Sequence, residues 1–148
     1  MFTTILQVLI PLLILFTGTG KSDQSKNKFV SYHVTANQSS FKTGSKGTLL
    51  FDLQPQKGIH INIQPAPSFS IDTTSGFTSA GNLEIIKDSS TGFLSKQKPI
   101  KQSFLVPHNT KTGKATVRGV LTYYYCSDAE GWCSRFKQPV ELTIEVVP

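Results

Sequence analysis

The chain has 148 residues, with fifteen Lys and Arg against nine Asp and Glu for a net charge of +6, and two cysteines. That length accommodates one ordinary domain, and a hydrophobic fraction of 38% excludes disorder throughout. A barrel enzyme or a kinase does not fit. Two cysteines cannot by themselves ligate an iron–sulfur cluster or fill a four-cysteine zinc site.

The first predicted element is apolar. Residues Ile5 to Phe16 form an almost unbroken hydrophobic run, followed by Gly18, Thr19 and Gly20 and then Lys21. This order predicts a signal peptide over residues 1–20, with small residues before the cleavage point. The run lacks a preceding Lys or Arg, so an uncleaved N-terminal anchor is the alternative. At about 12 residues it is shorter than the roughly 20 that span a bilayer. Export to the periplasm or cell envelope is the expected destination. Residues 21–28 (KSDQSKNK) are polar and predict a flexible leader. Residues 29–148 are expected to form the folded domain.

From Phe29 onward the hydrophobic period is two, and no long helical stripe intervenes. Strands are expected over 29–34, 48–53 and 59–63, where Ile59, Ile61 and Ile63 alternate with His60, Asn62 and Gln64. Further strands are expected over 69–72, 83–86, 100–106 and 117–125. In the last segment Val140, Leu142, Ile144 and Val146 face one way, and Glu141, Thr143 and Glu145 the other. Clusters such as Lys42–Gly47, Gln64–Pro67 and Ser89–Gly92 supply turn residues between them. About eight short strands at this spacing predict an all-β, immunoglobulin-like antiparallel sandwich, with a small β-barrel as the alternative.

Cys126 and Cys133 are separated by Ser127-Asp128-Ala129-Glu130-Gly131-Trp132 and lie between the last two predicted strands. In an exported protein their default state is a disulfide. A staple for the whole domain would join distant strands. This pair closes only a short loop, worth about 2.5 kcal/mol of unfolded-state entropy. A structural staple and a reactive site are both consistent with that placement. Arg135 and Lys137 would favour a thiolate, Arg135 being the nearer, whereas Asp128 and Glu130 would oppose it. Tyr124 and Trp132 are candidates to shield the pair, and ordinary packing at a sheet end is the plainer account of each.

The segment Gly119–Cys126 (GVLTYYYC), the intervening SDAEGW, Cys133 and the closing QPVELTIEVV resemble a known family. Upstream, Gly58-Ile59-His60-Ile61-Asn62 followed by Pro65 and Pro67 matches as well. The resemblance is to the amino-terminal periplasmic domain of the thiol–disulfide interchange protein DsbD and its stand-alone relatives. It covers Phe29 to Val147, with the cysteine segment as its specific part. It implies an immunoglobulin-like domain whose redox-active pair is Cys126 and Cys133, with Cys126 taken to form the mixed disulfide. It also implies electron transfer from a membrane-embedded thiol reductase, here on a separate chain, to exported thioredoxin-like proteins. The resemblance further implies a cap loop with a shielding aromatic, which order along the chain places over 89–95 with Phe93 as the candidate. The cysteine spacing is one residue longer than the family's, and the family's transmembrane and thioredoxin-like domains are expected on separate partners.

Other chemistries lack their residues. A cupredoxin-type copper site wants a His shortly after its Cys and an axial Met, whereas His33, His60 and His108 all precede the cysteines. No metal or other cofactor is expected. His60 lies in the polar phase of its strand and is expected to be solvated. No nucleophile elbow is present. Scattered lysines with little Arg favour a solvated basic surface over a nucleic-acid partner. The competing function is a non-catalytic binding or assembly domain with a structural disulfide.

Overall fold

The computed structural model describes residues 26–148. The expected signal peptide or anchor, and leader residues 21–25, lie outside the described residues. Nine strands follow in order: β1 (Val30–Ala36), β2 (Ser40–Lys42), β3 (Lys46–Pro55), β4 (Ile59–Ile61), β5 (Ser68–Ile71), β6 (Thr78–Ser79), β7 (Ile100–Leu105), β8 (Gly113–Ser127) and β9 (Cys133–Val147). They form two sheets, one of four strands in the order β1-β3-β7-β6 and one of five in which β2-β9-β8-β4 is extended by β5 on β8. The protein is therefore an all-β sandwich rather than a single closed barrel. All pairings are antiparallel except that of β2 with β9.

The alternation read over 59–63 and in the last segment is buried as expected at Ile59, Ile61, Val140, Ile144 and Val146. Leu49, Phe51 and Leu53 of β3 and Ile100 and Phe104 of β7 face Val117, Leu121, Tyr123 and Tyr125 of β8 and Val140, Ile144 and Val146 of β9. Gly47 and Gly119 fall in this inward phase, where each leaves room for an aromatic ring. A Cβ at Gly119 would stand 2.5 Å from the Phe69 ring, and one at Gly47 would stand 2.5 Å from that of Phe104. Tyr123 is fully buried, and Asn27, from the expected leader, donates to its hydroxyl at 3.1 Å. Desolvation by that burial pushes the hydroxyl up to about 12.

One expected strand is corrected. Residues 83–86 make only an isolated bridge, Glu84 to Lys101. The free edge of β7 is short and β6 already occupies its Phe104–Leu105 end, which leaves room for one exchange with Lys101. Two strands of the sandwich, β2 and β6, were not among those expected. They are three and two residues long, too short for a period to show.

The arrangement that positions the site is the edge of β8 opposite β9. It is shared by β5, which pairs with Gly119–Thr122, and β4, which pairs with Tyr125–Ser127. The last turn of β8 is thereby held from both sides.

Candidate functional site

Cys126 lies one residue before the end of β8, next to the inward-facing Tyr125, and Cys133 opens β9. The two are directly opposite in the antiparallel register and are joined by a disulfide with their Cα atoms 4.1 Å apart. The ladder ends one step further out, where Ser127 donates to the Trp132 carbonyl at 2.9 Å and Gly131 to that of Ser127 at 3.0 Å. Gly131, at φ 69°, takes the left-handed conformation this turn requires.

Facing follows from pairing. Ile59 and Ile61 of β4 point into the core, so His60 between them points outward. His60 is the register partner of Cys126, and directly opposite residues share a face. The disulfide therefore lies on the outer face of the five-stranded sheet. Its two ends differ: Cys126 is only 5% exposed, whereas Cys133 is exposed. The Asn62 side-chain amide donates to Cys126 Sγ at 3.3 Å.

The cover over this face is the segment after the bridge at Glu84. Lys87 pairs with Leu94, Asp88 N–H donates to Phe93 O at 2.8 Å, and Gly92 N–H donates to Asp88 O at 2.9 Å, so residues 87–94 close on themselves. Leu94 N–H then donates to Ile61 O at 2.9 Å, tying the loop to the open edge of β4. The Asp88 carboxylate accepts from the Ser90 hydroxyl at 2.6 Å and from backbone N–H groups of Ser90 and Thr91. Those bonds, the Ser90 hydroxyl's first, hold its carboxyl below the usual carboxylate range. Phe93, at the end of this loop, stacks on His60 with ring centroids 3.6 Å apart and planes 14° from parallel.

The expected site residues thus divide. Phe93 stacks on His60, the register partner of Cys126. Tyr124 shares the outer face with Cys126 by alternation, and Arg135 is its register partner on β9, exposed and two residues from Cys133. Trp132 packs toward the core, with ring centroids 5.1 Å from Phe29 and 5.8 Å from Tyr125, and its indole N–H donates to Glu130. That is the inner side, so its contacts are those of a packing residue rather than a shield.

His60 corrects its expectation. Its side chain is 15% exposed, and Nδ1 lies 2.5 Å from Asp128 Oδ1 in the loop between the cysteines. The polar phase of β4 does face outward, but the 87–94 loop covers it. Asn62 and Asp128 were likewise not singled out as site residues. Their signal is positional: the pairing of β4 with the end of β8 brings Asn62 to Cys126 and His60 to Asp128. Among the described residues no group of three or more His, Cys, Asp and Glu is placed to hold a metal ion. Among them, too, no helix is long and apolar enough to cross a membrane. No family model matches the chain, and no curated protein matches it.

Removing the cover has a measurable consequence. A stacked ring pair contributes about 0.5–1.5 kcal/mol beyond its buried area, and 1.4 kcal/mol is tenfold in an equilibrium. Phe93→Ala should therefore let a small thiol reduce the disulfide several-fold, up to about tenfold, faster, by admitting water to Cys126. Stopped-flow reduction followed by tryptophan fluorescence measures this. A rate equal to that of the unaltered protein would show that Phe93 guards nothing.

Proposed function

We propose that the chain is an exported thiol–disulfide exchange module akin to the amino-terminal domain of DsbD. In this reading Cys126 and Cys133 relay electrons from a membrane-embedded reductase on a separate chain to exported thioredoxin-like proteins. The observation that carries the reading is the position of the disulfide: on an outer sheet face, between residues the backbone ladder already holds opposite each other, with one cysteine exposed and the other covered. A staple adds most where it joins elements that nothing else joins. Here β8 and β9 are paired from Gly113↔Val146 onward without it.

In this reading the exposed Cys133, rather than the Cys126 expected from the resemblance, forms the mixed disulfide, a choice supported by Cys133 being exposed where Cys126 is buried. An incoming thiolate meets Cys133 first. It bonds to Cys133 Sγ, the Cys126–Cys133 bond breaks, and Cys126 leaves with the electron pair, its sulfur held by the Asn62 amide. A second thiol of the partner then attacks the mixed disulfide and releases Cys133, leaving the partner oxidised and the pair reduced. Passing electrons onward runs the same steps backward, with Cys133 as attacking thiolate and Cys126 as resolving thiol.

Trapping tests this directly. Reduced Cys126→Ser, which keeps Cys133 but cannot resolve, should accumulate a mixed disulfide with an oxidised thioredoxin-like protein. Cys133→Ser should accumulate little. Trapping by neither variant, together with a reduction potential well below about −300 mV, would return the pair to the role of a staple in a binding domain.

A further inference from the structure

The exchange chemistry leaves one proton unaccounted for. When the disulfide opens, Cys126 acquires a negative charge in a site where its residue is only 5% exposed. A buried thiolate is disfavoured unless a cation or a proton donor meets it. The same proton must leave when Cys126 resolves a mixed disulfide. Water alone reaches this sulfur poorly.

His60 is built for that task. It is directly opposite Cys126 on the same sheet face, where Cβ atoms of paired residues lie about 4.5–5.5 Å apart. Its orientation is fixed twice, by Asp128 at Nδ1 and by Phe93 against its ring face. With Nδ1 engaged by a carboxylate, Nε2 is the nitrogen left to exchange a proton. The ring also lines a cleft of about 290 Å³, shared with Gly58, Asp88, Phe93, Lys96 and Asp128, which opens a route from imidazole to solvent. The charged groups around the ring are Asp128 from the loop between the cysteines and Asp88 and Lys96 from the covering segment. Arg135 stands on the far strand of the same face. A histidine held between a carboxylate and an aromatic ring beside a buried cysteine exceeds what packing a sheet edge requires.

We propose that His60, held by Asp128, is the proton-exchange partner of Cys126. As imidazolium it gives a proton to the Cys126 sulfur when the disulfide is reduced, and as neutral imidazole it takes that proton back when Cys126 attacks. Electron transfer through the pair is thereby coupled to one proton passing between Cys126, His60 and the cleft. The inference deepens the exchange reading and rests on it for its biological use, but its test needs no partner protein.

The test titrates the single thiol of reduced Cys133→Ser by the ultraviolet absorbance of the thiolate. A charge partner at this range shifts a thiol by about 1–3 pH units. In the His60→Gln version of that protein, thiolate formation should move upward by at least about one unit. Its pH profile should also lose the inflection contributed by the imidazole. Asp128→Asn should weaken both effects while keeping His60, and it serves in place of His60→Gln if that variant does not fold. A thiolate titration unchanged by either substitution overturns the proposal. Partner trapping reports separately: a shifted titration without trapping keeps the His60–Cys126 coupling and removes the relay, and trapping with an unshifted titration does the opposite.

Discussion

Phe104→Ala should destabilise the domain by about 3–5 kcal/mol, the cost of deleting a large buried aromatic and leaving its cavity. Phe104 is completely buried on β7. Its ring centroid lies 5.4 Å from that of Phe41, on β2 of the opposite sheet, and 5.8 Å edge-on from that of Phe77. The three rings tie the two sheets together at the end of the sandwich where β2 is the edge strand. The space they occupy exists because residue 47 is glycine: a Cβ there would stand 2.4 Å from Phe41 and 2.5 Å from Phe104. Ring–ring packing of this kind leaves no flexible neighbour to fill the hole, which favours the upper part of the range. Against a typical total of about 5–15 kcal/mol, the loss should bring the midpoint of urea unfolding down steeply with little change in slope. Leu105, the next residue, is 36% exposed, and Leu105→Ala should cost about 1 kcal/mol or less. Equal losses for the two would mean that the rings do not form the inter-sheet core.

What the sequence made legible, and what it did not, divides along the same physical line. Period-two alternation is a local property, so it marked the buried faces of β4 and of the latter part of β9 correctly. It also placed both cysteines at the turn between the last two strands, because that layout is a matter of chain order. The covering of an outward face is not local. His60 was expected in water because its phase in β4 is polar, and the phase is right. The contacts that remove it from water come from Asp128 and Phe93, 68 and 33 residues further along the chain. Phe93 could be placed by order alone, whereas its stacking on His60 could not. For Trp132, a shield candidate by nearness in sequence to Cys133, packing was the plainer expectation, and its ring contacts are on the inner side. The ring accordingly belongs to Phe29 and Tyr125.

Reducing the Cys126–Cys133 disulfide should leave the sandwich folded, and this is the result that most sharply separates a working redox pair from a staple. The bond closes a loop of about eight residues, which the chain-entropy estimate values at about 2.5 kcal/mol. That contribution is modest, and the native turn does not rest on the bond alone. The turn is also held by the Ser127–Trp132 and Gly131–Ser127 hydrogen bonds and by Asp128 N–H donating to Gly58 O at 3.0 Å. Behind it stands a ladder that runs the length of β8 and β9, with Tyr123, Tyr125 and Phe136 packed on its inner side. None of these interactions needs the sulfur–sulfur bond. The melting temperature should fall by about 10 °C or less, with far-ultraviolet circular dichroism unchanged. The change should be confined to amides near the cysteines and the 87–94 loop, where hydrogen exchange will quicken. A module that cycles between oxidised and reduced forms requires this tolerance, because its reduced form must remain folded and recognisable to the next partner. Global unfolding on reduction would defeat that cycle, and would show that the pairing of β8 with β9 does not hold without the bond.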